Sequence, residues 1–144
     1  MKLTKKTIGN EDVYFENGVK KYTHSKTSGG FETWSEYDSN DNLIHSKDSD
    51  GDETWSEYDK NNNEIHYKSS RGYESWTEYD KSNNVIYSKD GDGYEHWKEY
   101  DSSKNIIHSK TSDGFEYWSD DNPKNPKNRG VEVDIEPFKF KKEK

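Results

Sequence analysis

Residues 51–71 read Gly51-Asp-Glu-Thr-Trp-Ser-Glu-Tyr-Asp-Lys-Asn-Asn-Asn-Glu-Ile-His-Tyr-Lys-Ser-Ser-Arg71. This stretch is one copy of a repeat, because its glycine and its tryptophan both return every 21 residues without an insertion. A fixed period of this length is typical of a repeat architecture built from one supersecondary unit. The two series are Gly30, Gly51, Gly72, Gly93 and Gly114, and Trp34, Trp55, Trp76, Trp97 and Trp118.

Each repeat predicts two strands and two turns. Residues 31–38 combine aromatic residues with Thr and Ser and contain no Gly or Pro, which is strand composition, and residues 43–48 form the return strand. The Asn/Asp cluster at residues 39–42 predicts a hairpin loop with one left-handed residue. A glycine supplies the positive φ of the second turn. The predicted left-handed loop residues are Asp41, Asn62, Asn83 and Lys104.

The composition restricts the fold class. Leu, Ile, Val and Phe number only 19, and the net charge is −8, a combination typical of disordered chains. The strict period and an aromatic content of 15% oppose disorder, because each repeat needs to bury surface only against its neighbours. We therefore expect an all-β protein, an elongated antiparallel β-hairpin repeat with a meander-like or solenoid-like sheet and capping strands at both ends.

The repeats also indicate how the chain is divided. We expect a single domain over residues 1–144, with 21-residue repeats in residues 30–118. Residues 1–29 are predicted to be an N-terminal cap and a degenerate repeat, with a type I′ turn at Asn17-Gly18. Residues 119–144 are predicted to be a proline-containing loop and a capping strand at residues 131–136.

Side-chain alternation predicts two different sheet faces. One face carries Trp34 and Glu36, joined by His45 and Lys47 of the return strand, so that Glu and Lys form cross-strand pairs. On the other face we expect Tyr37 to pair with Ile44 as the packed side. Since a register slip of one residue exchanges the faces, this assignment depends on the loop length.

The spacing of Gly30, Tyr37-Asp38, Leu43 and Gly51 resembles that of YD repeats, also called RHS repeats. The resemblance covers about residues 30–122 and implies a stack of β-hairpins. In that family Gly and Arg precede the Leu, whereas this chain has Asp41-Asn42 there and adds a tryptophan to each repeat. The family often forms shells around toxin domains, but four to five repeats are too few to close a shell.

Charge and composition also restrict the partners. Residues 31–118 contain 21 acidic and 9 basic side chains, a net charge of −12, which argues against nucleic acid or an anionic membrane as the direct ligand. The chain has no cysteine, and its first residues have no signal-peptide pattern. We expect a cytoplasmic location.

No pattern in the sequence indicates catalysis, a cofactor or a metal site. The histidines at one repeat position lie one hairpin apart, too far for shared zinc coordination. The acidic stretches at residues 48–52 and 90–94 fit ordinary turns, since the later ligands of a calcium loop are missing. A catalytic residue needs a unique environment, whereas Ser, His, Asp and Glu here recur with the fold. We expect a protein that is not an enzyme.

The remaining hypothesis is binding through the sheet face. We expect a small inhibitor or immunity-type protein that binds a partner protein with a basic surface, and nucleic-acid mimicry of the anti-CRISPR kind is its sharper form. The alternatives are a carbohydrate or cell-wall binding module that uses the tryptophans, a structural spacer, and tryptophans that only pack on neighbouring hairpins. The candidate binding residues are Trp34, Trp55, Trp76, Trp97, Trp118, Glu36, Glu57, Glu78 and Glu99.

Overall fold

The twelve strands form one open antiparallel sheet in which their order along the chain is also their order in space. The structure is a computed structural model that describes residues 2–128. Within this part of the chain there is no helix, and the expected all-β stack of hairpins is confirmed. The strands are β1 (Leu3–Ile8), β2 (Glu11–Glu16), β3 (Val19–Lys26), β4 (Glu32–Tyr37), β5 (Leu43–Asp48), β6 (Glu53–Tyr58), β7 (Glu64–Ser69), β8 (Glu74–Tyr79), β9 (Val85–Asp90), β10 (Glu95–Tyr100), β11 (Ile106–Thr111) and β12 (Glu116–Trp118).

The sheet is a single layer. Among the described residues Val13 is the only buried hydrophobic side chain, at 5% exposure, and no large side chain is fully buried. Within residues 2–128 no second layer is packed on the sheet, so the few aliphatic residues there are sufficient. Backbone ladders and cross-strand side-chain pairs stabilise such a sheet in place of a core.

The hairpin loops have the predicted left-handed residues. Asp41, Asn62, Asn83 and Lys104 have φ between 62° and 68°. In the first loop Oδ1 of Asp38 accepts hydrogen bonds from the backbone N–H groups of Asn40 and Asn42, each at 2.9 Å. This pattern explains the Asp of each Tyr-Asp pair, since its carboxylate orders the loop that follows.

Neighbouring loops are also linked along one margin of the sheet. The side-chain amide of Asn42 donates to Oδ1 of Asn62 at 2.9 Å, and Asn63 donates to Asn83 in the same way. The left-handed residue of one loop therefore accepts a hydrogen bond from the loop before it. This contact adds a lateral connection where the backbone ladder has ended.

The turns between hairpins lie at the opposite margin. Gly51 has a φ of 87°, as predicted, and Oδ1 of Asp48 accepts the backbone N–H of Asp52 at 3.0 Å. Ser70 lies in the next turn, and its Oγ accepts the backbone N–H of Glu53 at 2.9 Å, so adjacent turns are bonded to each other. The acidic stretch at residues 48–52 is therefore a turn whose carboxylate is bonded within it.

The expected pairing of Tyr37 with Ile44 is wrong. A β-bulge between Glu36 and Tyr37 makes Ile44 the extra residue, and Tyr37 pairs with Leu43. The bulge recurs in the later hairpins, where Tyr58 pairs with Glu64. The loop length alone did not reveal this extra residue. It shifts the register of β4 against β5 by one residue, and only for the pairs between the bulge and the loop.

The end of the described chain is a series of turns. Asn122 and Asn125 are buried, and Nδ2 of Asn122 donates to the carbonyl of Ile107 at 3.1 Å. This coil covers the end of the sheet beside β11 and β12. The predicted capping strand at residues 131–136 lies outside the described residues. The described chain contains no helix with the length and apolar character needed to cross a membrane.

Candidate binding face

One face of the sheet presents the tryptophans, and we call it the Trp face. It consists of Glu32, Trp34, Glu36, His45, Lys47 and their equivalents in the later repeats. In β4 and β5 Trp34 lies opposite Lys47 and Glu36 opposite His45, which confirms the predicted grouping. The next strand places Trp55 opposite His45 and Glu53 opposite Lys47. Alternating strands therefore repeat one arrangement of aromatic, acidic and basic side chains.

The first three tryptophans are partly open to solvent. Trp34, Trp55 and Trp76 are 42%, 39% and 36% exposed, whereas Trp97 and Trp118 are half-buried. Two strands separate successive tryptophans, so they lie about 10 Å apart along the face. The indoles are neither core residues nor freely projecting side chains, and they present a regular series of partly exposed rings.

Each of these indoles stacks on a histidine of the preceding strand. The ring centroids of His66 and Trp76 are 5.3 Å apart with an interplanar angle of 9°, and those of His45 and Trp55 are 5.4 Å apart at 10°. Tyr87 takes the histidine position beside Trp97, with a tilted contact at 5.6 Å. The histidines therefore pack across the strands, and each stack holds the orientation of its indole.

The glutamates of the Trp face form two series with different surroundings. In the inner series, Oε2 of Glu53 lies 3.1 Å from Nε2 of His45, and Oε1 lies 3.2 Å from Nζ of Lys47. In the outer series, Glu57 is 70% exposed and its nearest cationic neighbour among the described residues is His66, at 3.3 Å. The predicted Glu36, Glu57, Glu78 and Glu99 form this outer series beside the tryptophans. Glu57, Glu78 and Glu99 are exposed, whereas Glu36 is half-buried.

Contacts between histidine and glutamate on the Trp face shift the pKa of His66 and that of Glu53. The hydrogen bond that His66 donates to Glu74, reinforced by Glu57, raises the pKa of the His66 imidazole above its usual value. Hydrogen bonds from His45 and Lys47 lower the pKa of Glu53. At neutral pH the Glu53 carboxylate is therefore ionised and is paired locally with Lys47.

Sequence reasoning missed one part of the face, at its N-terminal end. A depression of about 460 Å³ is lined there by Leu3, Tyr14, Tyr22, Trp34 and Glu36, among others. A smaller depression of about 360 Å³ in the middle of the face is lined by Trp55, Glu57, His66 and Lys68. The alternation of β3 could have placed Tyr22 with His24, but the sequence does not reveal that Tyr14 lies opposite Tyr22.

No group of three His, Asp or Glu side chains within residues 2–128 is arranged to hold a metal ion. The histidines contact glutamates in pairs along the sheet and do not converge on one point.

No protein-family model matches the chain, and no curated protein sequence matches it. The class that the fold defines is an all-β protein of tandem 21-residue hairpins in a single-layer sheet.

Proposed function

We propose that this protein is a non-catalytic acidic repeat protein that binds a basic partner protein through the Trp face. The observation that carries the proposal is the combination of partly exposed indoles with the open carboxylates of the outer series. Tryptophan is enriched among the residues that dominate binding energy, and carboxylates around it steer a basic partner. The biological role that fits best is a small inhibitor or immunity-type protein in the cytoplasm.

Charge density supports a sharper form of the proposal, nucleic-acid mimicry. Strands β4 to β12 extend over about 40 Å at the usual strand spacing. A net charge of −12 over residues 31–118 corresponds to one charge per roughly 3 Å, against one per ~1.7 Å in duplex DNA. This density is sufficient to compete for the basic groove of a nucleic-acid enzyme, as anti-CRISPR proteins do.

The test begins with a partner recovered on the immobilised protein from the lysate of its native host. Association rates are then measured at low and high salt for the double variant Glu57→Lys with Glu78→Lys. We expect slower association and a flatter salt dependence, because steering depends on the charge of the face. The matched control is Asp50→Lys with Asp92→Lys, the same charge change in exposed turns at the sheet margin. Equal effects of the two double variants, or no effect of the first, would refute the acidic-face mechanism.

A second candidate is carbohydrate or cell-wall binding. The partial exposure of Trp34, Trp55 and Trp76 at a regular spacing favours it, because sugar rings stack on such aromatic series. A glycan array separates the two functions. Saturable glycan binding that Trp76→Ala abolishes and that salt does not weaken would favour the carbohydrate module.

Membership of the YD-repeat family stays a prediction. The tandem hairpins support it, with the Tyr-Asp carboxylate bonded in each loop. The family would explain the architecture but would not name the partner.

A further inference from the structure

The depression at the N-terminal end of the Trp face differs from the rest of that face because three aromatic side chains meet there. Tyr14 lies opposite Tyr22 across β2 and β3, and Tyr22 lies opposite Glu36 across β3 and β4. Trp34 is two residues from Glu36 on the same strand, and Leu3 completes the depression. The central depression contains one tryptophan and no tyrosine.

The degenerate first repeat is the reason for this difference. In the first hairpin the tight Asn17-Gly18 turn places the bulge at Lys21, so that Tyr22 keeps its pairing with Tyr14. In the later repeats the equivalent position is Leu43, which pairs with Tyr37 beyond the bulge. The first repeat therefore contributes a pair of tyrosines to the Trp face, whereas the later described repeats contribute the single Tyr87.

One carboxylate at the depression, that of Glu36, lacks a close ion pair. Lys47 is ion-paired with Glu53 at 3.2 Å, and Lys5 with Asp12 at 2.6 Å. Among the described residues, the ion-pair contact of Glu36 is a long one, 3.9 Å to Nδ1 of His45. The depression therefore combines aromatic faces with a carboxylate whose own neighbours leave it poorly neutralised.

The same sheet shows how such a combination binds a cation. Nζ of Lys20 lies 3.7 Å from the centre of the Tyr37 ring and 2.7 Å from Oδ1 of Asp41. Nζ of Lys110 lies 4.9 Å from the centre of the Trp97 ring. Aromatic rings attract cations through the negative potential of their faces, and a nearby carboxylate strengthens the contact.

From this geometry we infer that the depression formed by Tyr14, Tyr22, Trp34 and Glu36 is an anchoring site for an arginine or lysine side chain of the basic partner. The inference rests on the proposed function and specifies where on the face the partner is anchored. The aliphatic stem would lie against Leu3 and the rings, and the cationic group would contact Glu36. Arginine suits the site best, because its planar guanidinium both stacks on aromatic rings and pairs with carboxylates.

The test uses two short probes, a blocked glycine–arginine–glycine peptide and the same peptide with citrulline, which has the shape of arginine without its charge. Binding to the full chain is followed by NMR through the five indole N–H signals. We expect the arginine peptide to shift the Trp34 signal saturably and the citrulline peptide to leave it unchanged. Equal shifts with both probes, or no shift with either, would overturn the inference.

Variants locate the site. Tyr22→Leu should weaken arginine-peptide binding by about two- to fivefold, the loss expected for one exposed cation–π contact. Glu36→Gln should also weaken it, whereas Glu78→Gln, the same change in a central repeat, should not. A Trp76 signal that responds as strongly as that of Trp34 would refute the special role of the N-terminal depression. The proposed function is measured separately with Glu57 and Glu78 variants and the full partner, so either result can fail without the other.

Discussion

The phenol of Tyr79 donates a hydrogen bond to the backbone carbonyl of Glu64, with an oxygen–oxygen distance of 3.1 Å. Tyr58 makes the same bond to Leu43 at 3.0 Å. The ladder between β7 and β8 pairs only residues 66–68 with residues 74–76, so Glu64 lies beyond it. Tyr58 and Tyr79 therefore each bond their own hairpin to the preceding one where the backbone ladder has already ended.

Loss of this bond should be measurable. We expect Tyr79→Phe to lower the free energy of unfolding by about 0.5–1.5 kcal/mol, the usual net value of one hydrogen bond. Urea denaturation measures the change. Tyr73→Phe is the control, because Tyr73 is 57% exposed and should give no change. Equal stabilities of Tyr79→Phe and the wild type would show that the bond contributes nothing.

Truncation of a tryptophan should leave the protein folded. Trp76 is 36% exposed, so we expect Trp76→Ala to cost clearly less than the roughly 3–5 kcal/mol of a buried aromatic side chain. Trp76→Phe, which keeps a ring for His66 to stack on, should cost less still. Circular dichroism and urea denaturation provide the measurement. An unfolded Trp76→Ala variant would mean that the tryptophans act as the core of the sheet.

Two histidines should give opposite pH dependences. The hydrogen bond from His66 to Glu74 on β8, reinforced by Glu57 on β6, raises the pKa of His66 in the folded protein. Its stabilising contribution is therefore fully present below the unfolded pKa of about 6.5 and is lost as pH rises through the higher folded pKa. Burial instead lowers the pKa of His96, so protonation of the unfolded chain costs stability as pH falls through about 6.5.

Denaturation curves between pH 8 and pH 5.5, around the unfolded histidine pKa of about 6.5, separate the two effects. His66→Gln should remove a gain in stability that appears on acidification. His96→Gln is the matched variant, and it should remove a decrease in stability that appears on acidification over the same pH range. If both variants change the pH profile in the same direction, the assigned causes of the pKa shifts are wrong.

A substitution in the hairpin loop at residues 101–105 should stabilise the protein. Lys104 has a φ of 66°, in the left-handed region where an unbranched, non-glycine side chain costs roughly 1–2 kcal/mol. The equivalent Asn83 tolerates this conformation and accepts a hydrogen bond from Asn63. We expect Lys104→Asn to raise the free energy of unfolding by about 0.5–1 kcal/mol. Lys81→Asn, the same change at an exposed loop position, should have no effect.

The local structure could be predicted from the sequence because it depends on neighbouring residues. The left-handed conformations of Asn62 and Gly51 follow from side chains that tolerate or require positive φ, and the strands lie between them. The grouping of Trp34 with Glu36 also follows from simple alternation. The 21-residue period then extended one hairpin to the whole sheet.

The tertiary structure decided what depends on register between strands. The bulge at Ile44 changed the partner of Tyr37, because one extra residue on a strand alters every pairing beyond it. For the same reason only the structure showed that Tyr14, Tyr22 and Trp34 meet in one depression. It also showed that the sheet is a single layer within residues 2–128, so that no described residue covers the Trp face. The sequence could not show this, because composition limits the size of a core but does not determine which surface remains uncovered.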